Sequence, residues 1–169
     1  MVSLRLLTLA DAPAIAAAVD CSREALARWM VWYRDDYDVC AAEDWIRHTL
    51  ATAATGTAFH FAILGPDDHV VGVISFEDIS ETPTRAMLGY WVASPSACRG
   101  IGRRAIAGAL GWARAQSPIQ IVWAVVAEPN TPSRRVLEVN AFRAVGARGT
   151  DERGDTQLIY ELDLRAPAA

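Results

Sequence analysis

The sequence predicts an α/β (mixed α+β) fold, and three observations carry that prediction. Strand-like and helix-like stretches follow one another along the whole chain. Ile121–Ala127 is a continuous apolar run, as expected of a central strand buried on both faces. Leu88–Ala105 reads as a strand, a short polar loop, two glycines (Gly100 and Gly102) and then a helical pattern.

Residues 3–9 alternate like a strand and lead into Thr8-Leu9-Ala10-Asp11, a helix start with Pro13 in its first turn. Helical stretches are expected at about 11–20 and 22–31. A third, at about 41–54, puts Trp45, Ile46, Thr49, Leu50 and Ala53 on one face, with Glu43 and Asp44 in its first turn. Phe59–Leu64 and His69–Phe76 read as a hairpin around Gly65-Pro66-Asp67-Asp68. Met87–Val92 is the next strand, and Ile101–Arg114 the helix behind the glycines. After Ile121–Ala127 comes a short helix, with Thr131 expected as its N-cap and Pro132 at its first position. Phe142–Arg148 and Thr156–Asp163 close the chain as a pair, with Leu158, Tyr160 and Leu162 on one side.

At 169 residues the chain is expected to form one domain, residues 1–169, with room for a real core. The 52% hydrophobic share and six tryptophans agree. No apolar run approaches the roughly 18 to 20 residues of a membrane span. The start, Met1–Leu6, lacks the features of a secretion signal, so a cytoplasmic location is expected and no membrane partner. Cys21, Cys40 and Cys98 form no pair at metal spacing, and His48, His60 and His69 are equally dispersed; no metal is expected. The net charge of −4 makes a poor nucleic-acid binder, because clustered cations supply most of that affinity.

The glycines at 100 and 102 leave backbone N–H groups uncovered at a helix start, a natural seat for a pyrophosphate. Gly100–Ala105 satisfies the G-x-G-x-x-G/A pattern of dinucleotide sites, and Glu128 stands about where a ribose ligand belongs. That pattern needs its first glycine directly off a strand, however. Here Ala93–Arg99, including Pro95, intervenes after Val92. The spacing therefore counts against a dinucleotide and leaves coenzyme A or, as the first reading of this hexapeptide alone, a helix start with purely structural glycines.

The company this loop keeps points to coenzyme A. Val71-Gly72-Val73-Ile74-Ser75-Phe76, Leu88-Gly89-Tyr90-Trp91-Val92 with Arg99-Gly100-Ile101-Gly102, and Asn130-x-x-Ser133-Arg134-Arg135-Val136-Leu137-Glu138 occur in that order. With Trp29, Trp32 and Trp45 near the N-terminus, the chain resembles the GNAT superfamily of acyl-CoA-dependent N-acyltransferases, and most of all its RimJ/RimL-type branch, which acetylates ribosomal-protein N-termini. The resemblance implies the order β-α-α-β-β-β-α-β-α-β-β: a mixed, mostly antiparallel sheet flanked by helices, with splayed central strands. It implies acetyl-CoA as cosubstrate, its pantetheine arm paired with backbone near Trp91, Val92 and Ala93. The pyrophosphate would lie on N–H groups of Cys98, Arg99, Gly100, Ile101, Gly102 and Arg103, where a Cβ at 100 or 102 would block close approach. Arg99, Arg103 and Arg104 add positive charge. The family's leading Arg or Gln falls at Ala97, so that side-chain contact is missing.

Acyl transfer to an amine needs a neutral amine, a hydrogen bond to the departing thiolate and support for the oxyanion. Many family members supply the thiolate's proton from a tyrosine seven residues after the helix asparagine; here that position is Leu137. The RimJ/RimL branch has a serine three residues after the asparagine, which implies Ser133 as thiolate-side donor with Asn130 holding cofactor or backbone. The same resemblance makes Glu152 the catalytic carboxylate, with Asp151, Asp155 and Glu77 as alternatives. Cys98 at a helix start invites a nucleophile reading, but ping-pong chemistry is not what the family implies. At Glu138-Val139-Asn140-Ala141-Phe142 the branch's usual glycine is lacking, and Asn140 is expected to take the left-handed cap. The expected acceptor partner is a protein N-terminus, with a small amine such as an aminoglycoside or polyamine as the alternative, or a non-catalytic acyl-CoA-binding role. A peptide would need an open groove between the N-terminal helices and the last hairpin; a small cation would want a closed acidic pocket. Specificity is expected in the loops at 28–40, 77–86 and 148–156, and the molecule is expected to be a monomer or homodimer.

Overall fold

The computed structural model describes residues 2–79 and 84–165. Strand β1 is Ser3–Leu6, followed by a 3-10 turn at Leu9–Asp11 and helices α1 (Ala12–Asp20), α2 (Arg23–Trp29) and α3 (Val39–Ala54). Strands β2 (Phe59–Leu64), β3 (Val70–Glu77) and β4 (Arg85–Val92) form a meander. Helix α4 (Ile101–Gln116), strand β5 (Ile121–Ala127), helix α5 (Thr131–Glu138) and strands β6 (Arg143–Thr150) and β7 (Thr156–Asp163) complete the chain. One seven-stranded sheet has the order β1-β2-β3-β4-β5-β7-β6. Every neighbouring pair is antiparallel except β4–β5. The expected mixed, mostly antiparallel fold is present, with three helices rather than two between β1 and β2. No described helix is long and apolar enough to cross a membrane.

The period-two alternation of strand side chains divides the core into two. Phe61, Ile63, Ile74, Phe76, Leu88 and Tyr160 face α4 and α5. Ala62, Leu64, Val73 and Trp91 face the opposite way, against α1, α2 and α3. The first turn is tied down by Asp11, whose carboxylate takes both Arg5 guanidinium nitrogens (2.7 and 2.5 Å) and the Thr8 N–H (2.8 Å). These bonds, the Arg5 pair foremost, hold the buried Asp11 carboxyl below its ordinary range.

Several local expectations shift by a residue or two. Helix α3 starts at Val39, with the Asp38 carboxylate accepting the Ala41 N–H at 2.8 Å. Glu43 and Asp44 thus lie in its second turn, where both pair with Arg47, and Leu50 faces solvent rather than the core. The α5 N-cap is Asn130, not Thr131: its Oδ1 accepts the Ser133 N–H at 3.3 Å. At the other end of α5 the left-handed residue is Ala141 (φ 67°), not Asn140. Phe142 N–H reaches back to Leu137 O and Ala141 N–H to Glu138 O, a Schellman closure with Leu137 and Phe142 both buried. The Asn140 amide is spent elsewhere, donating to Val136 O (2.8 Å) and Arg103 O (3.4 Å).

A Cβ at a left-handed position costs about 1–2 kcal/mol, partly offset by the greater chain entropy glycine loses on folding. Ala141→Gly is therefore expected to raise stability by about 0.5–1 kcal/mol, seen as a higher urea midpoint with an unchanged slope.

Candidate active site

The site begins where two neighbouring strands part. β4 and β5 are paired in parallel at Arg85/Ile121, Ala86/Val122 and Met87/Trp123, and the register ends there. Beyond it β4 stays with β3 as far as Gly72/Val92, while β5 follows β7 as far as Ala127/Gln157. Thr84 O, at the foot of β4, accepts from Gln120 N–H (2.9 Å), and Ala93 N–H, at its head, donates to Val71 O (2.7 Å). Backbone groups alternate sides along an antiparallel strand. The main-chain groups of Tyr90 and Val92 therefore face the gap, while those of Trp91 and Ala93 are committed to β3. This corrects the expectation that residues 91 to 93 all offer backbone to a pantetheine arm.

At the open end of the gap the chain runs through a turn at Ser94–Ser96 and a left-handed Cys98 (φ 58°) to Gly100 (φ 69°). Among the described residues, none accepts a hydrogen bond from the main-chain N–H groups of residues 98–103. The loop is exposed, and the positive end of α4 adds to it. Such a row of free donors fits a diphosphate, so the residues present suit the coenzyme A group. The side chains are arranged more modestly: Arg104 folds back to donate to Arg99 O at 2.9 Å, and Arg99 and Arg103 are exposed. The two glycines have different reasons from the one expected. Gly100 is needed for its positive φ. A Cβ on Gly102 would point inward, 3.3 Å from Tyr90 Cε2 and 3.7 Å from Val136 Cγ1.

Under this loop, α5 brings up Ser133 and Asn130. Asn130 caps the helix and fixes Ser133 by its N–H. Ser133 Oγ accepts a hydrogen bond from the Tyr90 hydroxyl at 3.1 Å. Burial raises the Tyr90 phenol above its ordinary value, the bond to Ser133 offsetting part of that. Leu137, where many family members have tyrosine, is fully buried in the core. Tyr90 lies within a motif quoted above, yet nothing local in the sequence links it to a residue 43 positions away.

On the other side of the sheet, against α2 and α3, lies a cavity of about 1010 Å³. Trp29, Trp32 and Trp45 all line it, as does Trp91, whose ring centroid is 6.1 Å from that of Trp32. Arg34, Asp44, Asp78 and Arg148 also line it, and its most firmly held carboxylate is Glu77, at the end of β3. The Glu77 carboxylate accepts from Ser75 Oγ at 2.6 Å and stands 3.3 Å from His60 Nε2. Contact with His60 foremost, and with Ser75, holds it below the ordinary carboxylate range despite burial. Gly89, which also lines the cavity, keeps that spot open: a Cβ there would lie 3.1 Å from Ser75 Oγ and 3.7 Å from Glu77 Oε1.

Glu152 is not brought to this wall. It stands exposed in the turn between β6 and β7, while Arg148 and Gln157 of the same hairpin line the cavity. Asp155 is occupied by Arg28 (2.7 Å), and Asp151 holds the turn together by accepting from Arg153 N–H and Asp155 N–H. With Arg153 donating to Ala27 O at 2.5 Å, these contacts clasp the end of α2 to the last hairpin. All three loops expected to set specificity contribute cavity residues: 28–40, 148–156 and, in 77–86, Glu77, Asp78 and Ile79, residues 80–83 lying outside the described residues.

Residues 2–143 match the acetyltransferase (GNAT) domain family. The chain belongs to the GNAT acetyltransferases. Membership makes it an acetyl-CoA-dependent N-acetyltransferase. No curated protein matches by sequence. Among solved structures, Mycobacterium smegmatis RimJ, in complex with CoA-disulfide, is 25% identical, with a TM-score of 0.90 over 99% of this chain and 85% of that one. The Vibrio fischeri ribosomal-protein-S5-alanine acetyltransferase is 19% identical, with a TM-score of 0.89 over 99% and 96%. The microcin C7 self-immunity acetyltransferase MccE, in complex with acetyl-CoA and AMP, is 19% identical, with a TM-score of 0.88 over 96% and 92%.

In this GNAT chain the left-handed Gly100 sets the direction of the free N–H groups. Gly100→Ala forces a Cβ into that conformation at about 1–2 kcal/mol. The dissociation constant for CoA is expected to rise about tenfold in a calorimetric titration, with the melting temperature lowered by a few degrees.

Proposed function

We propose that this acetyltransferase moves the acetyl group of acetyl-CoA to the N-terminal α-amine of a protein, by direct attack of the amine. The observation that carries the reading is the Glu77 carboxylate, held ionised beside Gly89 in a large aromatic cavity that adjoins the parting of β4 and β5. An ammonium needs a fixed anion, and tryptophan faces add cation–π attraction. The size of the cavity, about 1010 Å³, reaches the upper end of small-molecule pockets and leaves room for more than one amino-acid residue. The likeness to the RimJ structure supports the same choice.

Acetyl-CoA, when bound, supplies the acetyl group as an activated thioester. Tyr90 and Val92 offer gap-facing main chain to its pantetheine arm, and the N–H groups of residues 98–103 hold its diphosphate. Glu77 binds the incoming amine. Its lowered pKa makes it a charge partner and hydrogen-bond acceptor rather than a strong base, and an α-amine with a pKa of about 7.7–8.0 needs little more. The carboxylate role expected of Glu152 passes to Glu77. As the nitrogen–carbon bond forms, the carbon–sulfur bond breaks; the nitrogen sheds one proton to solvent and the released thiolate takes one up from it. Ser133, fixed by Asn130, meanwhile steadies the thiolate sulfur with a hydrogen bond from its hydroxyl. Residues 1–169 act as one domain in this reading, since strands from Ser3 to Asp163 share one sheet.

One observation favours a second reading, a small-molecule amine as acceptor. The Arg28–Asp155 and Arg153–Ala27 contacts bridge the N-terminal helices and the last hairpin, where a long peptide would otherwise lie open. CoA release measured with short peptides of free N-terminus, against polyamines and aminoglycosides, separates the two. Turnover is expected with peptides and lost when their α-amine is blocked; turnover with small amines alone would overturn the choice.

Glu77→Gln is expected to lower kcat/KM for the amine about a hundredfold while leaving CoA affinity unchanged. A depressed carboxyl pKa means Glu77 keeps its charge down to acid pH. The wild-type kcat/KM should accordingly rise with pH as the acceptor ammonium loses its proton, with no acid limb from Glu77 above about pH 5.

A further inference from the structure

We propose that Tyr90 is a positioning residue for acyl transfer: its phenol holds the Ser133 hydroxyl so that the serine's own proton faces the departing sulfur. The proposal rests on the role given to Ser133 above.

A serine hydroxyl has one proton and two lone pairs, and left alone it rotates. In this chain both parts of Ser133 are gripped. Its main chain is fixed by Asn130 Oδ1, and its Oγ takes the Tyr90 O–H at 3.1 Å. The more acidic phenol is the natural donor of the two. Among the described residues, no protein group accepts the Ser133 proton in return. That proton is therefore left for a ligand atom. Burial raises the Tyr90 pKa, so the phenol stays protonated through the neutral range and remains a donor.

Packing fixes the phenol in turn. The Tyr90 ring passes close enough to Gly102 that a Cβ there would sit 3.3 Å from Cε2. Tyr90 also lines the acceptor cavity. One side chain on the wall of the strand gap thus touches the first turn of α4, bonds to the first turn of α5 and borders the acceptor space. Where Leu137 leaves α5 without a phenol, β4 provides one from the opposite direction.

The test reads the thiol of CoA itself and needs no acceptor. A hydrogen bond donated to the thiolate lowers the thiol's pKa, and the thiolate's ultraviolet absorbance follows the titration of CoA bound to the enzyme. Bound CoA should titrate below free CoA. Ser133→Ala should return it towards the free value. Tyr90→Phe, which keeps the ring, should weaken the thiol's acidity about fivefold, the size one hydrogen bond carries. The double variant should go no further than Ser133→Ala, and affinity for CoA with its thiol protonated, measured below the bound thiol's titration, should stay within about twofold. In turnover, Tyr90→Phe should lower kcat and leave KM for acetyl-CoA unchanged. A ring-fluorinated tyrosine at position 90, a stronger donor of nearly the same shape, should shift the thiol titration downward.

A Tyr90→Phe enzyme whose bound thiol titrates as in wild type, beside a shifted Ser133→Ala enzyme, overturns the role of Tyr90 and spares Ser133. Losses that multiply in the double variant also overturn it, because they place the two residues on independent paths. A titration that Ser133→Ala leaves unmoved removes the serine from the mechanism, and Tyr90 with it. Absence of CoA binding in the wild type removes the proposed site as a whole.

Discussion

Strand β4 has to satisfy two neighbours that diverge. It is paired with β3, which belongs to the meander, from Met87 to Val92, and with β5 only from Arg85 to Met87. β5 is bound along its whole length to β7. A sheet edge buried without partners is costly, since each unpaired N–H or C=O forfeits a hydrogen bond. An interior strand with free backbone groups at Tyr90 and Val92 is consequently a place built for a ligand with amides of its own. A pantetheine arm has them. The rest of the arrangement follows from where this gap opens.

The open gap separates two chemistries. On the α4 and α5 side are the free amides of residues 98–103, the capped helix start with Ser133, and the Tyr90 phenol. On the α1 to α3 side are Glu77 with its Ser75 and His60 partners and the aromatic wall of Trp29, Trp32, Trp45 and Trp91. The cofactor side offers rigid backbone donors, with arginines only at their margin. Acceptor binding needs instead a fixed charge in an adaptable apolar setting. Strand alternation supplies both from a single segment: Tyr90 faces one side, Gly89 and Trp91 the other.

Much of this was legible in the sequence, for physical reasons that also explain the misses. The glycine loop stood out because positive φ and bare amides need glycine, and the strand at 121–127 because its run is apolar throughout, although only its Val122, Ala124 and Val126 face is buried and not both faces as expected. Ser133 and Asn130 stood out by their spacing in a helix start. Asn130 and Thr131 are both good caps, however, and a proline serves equally at the first or second position, so the cap was misplaced by one. Ala141 was passed over because alanine does not favour a left-handed backbone and asparagine does, although the branch's usual Glu-Lys-x-Gly-Phe puts its glycine at 141; the closing bonds to Leu137 and Glu138 impose the conformation. Glu152 misled because side chains in a turn follow no period, whereas Glu77, at the end of a strand, inherits its direction from Val73 and Ser75. The Tyr90–Ser133 bond joins residues whose proximity only the folded sheet creates.

The parting of β4 and β5 is tested most directly by residue-resolved amide hydrogen exchange, with and without CoA. In the free enzyme the Tyr90 and Val92 amides should exchange far faster than those of Gly89 and Trp91, which are bonded to β3. CoA should slow Tyr90, Val92 and residues 98–103 together while leaving their neighbours unchanged. Tyr90 and Val92 amides already protected in the free enzyme, or indifferent to CoA, would contradict the account.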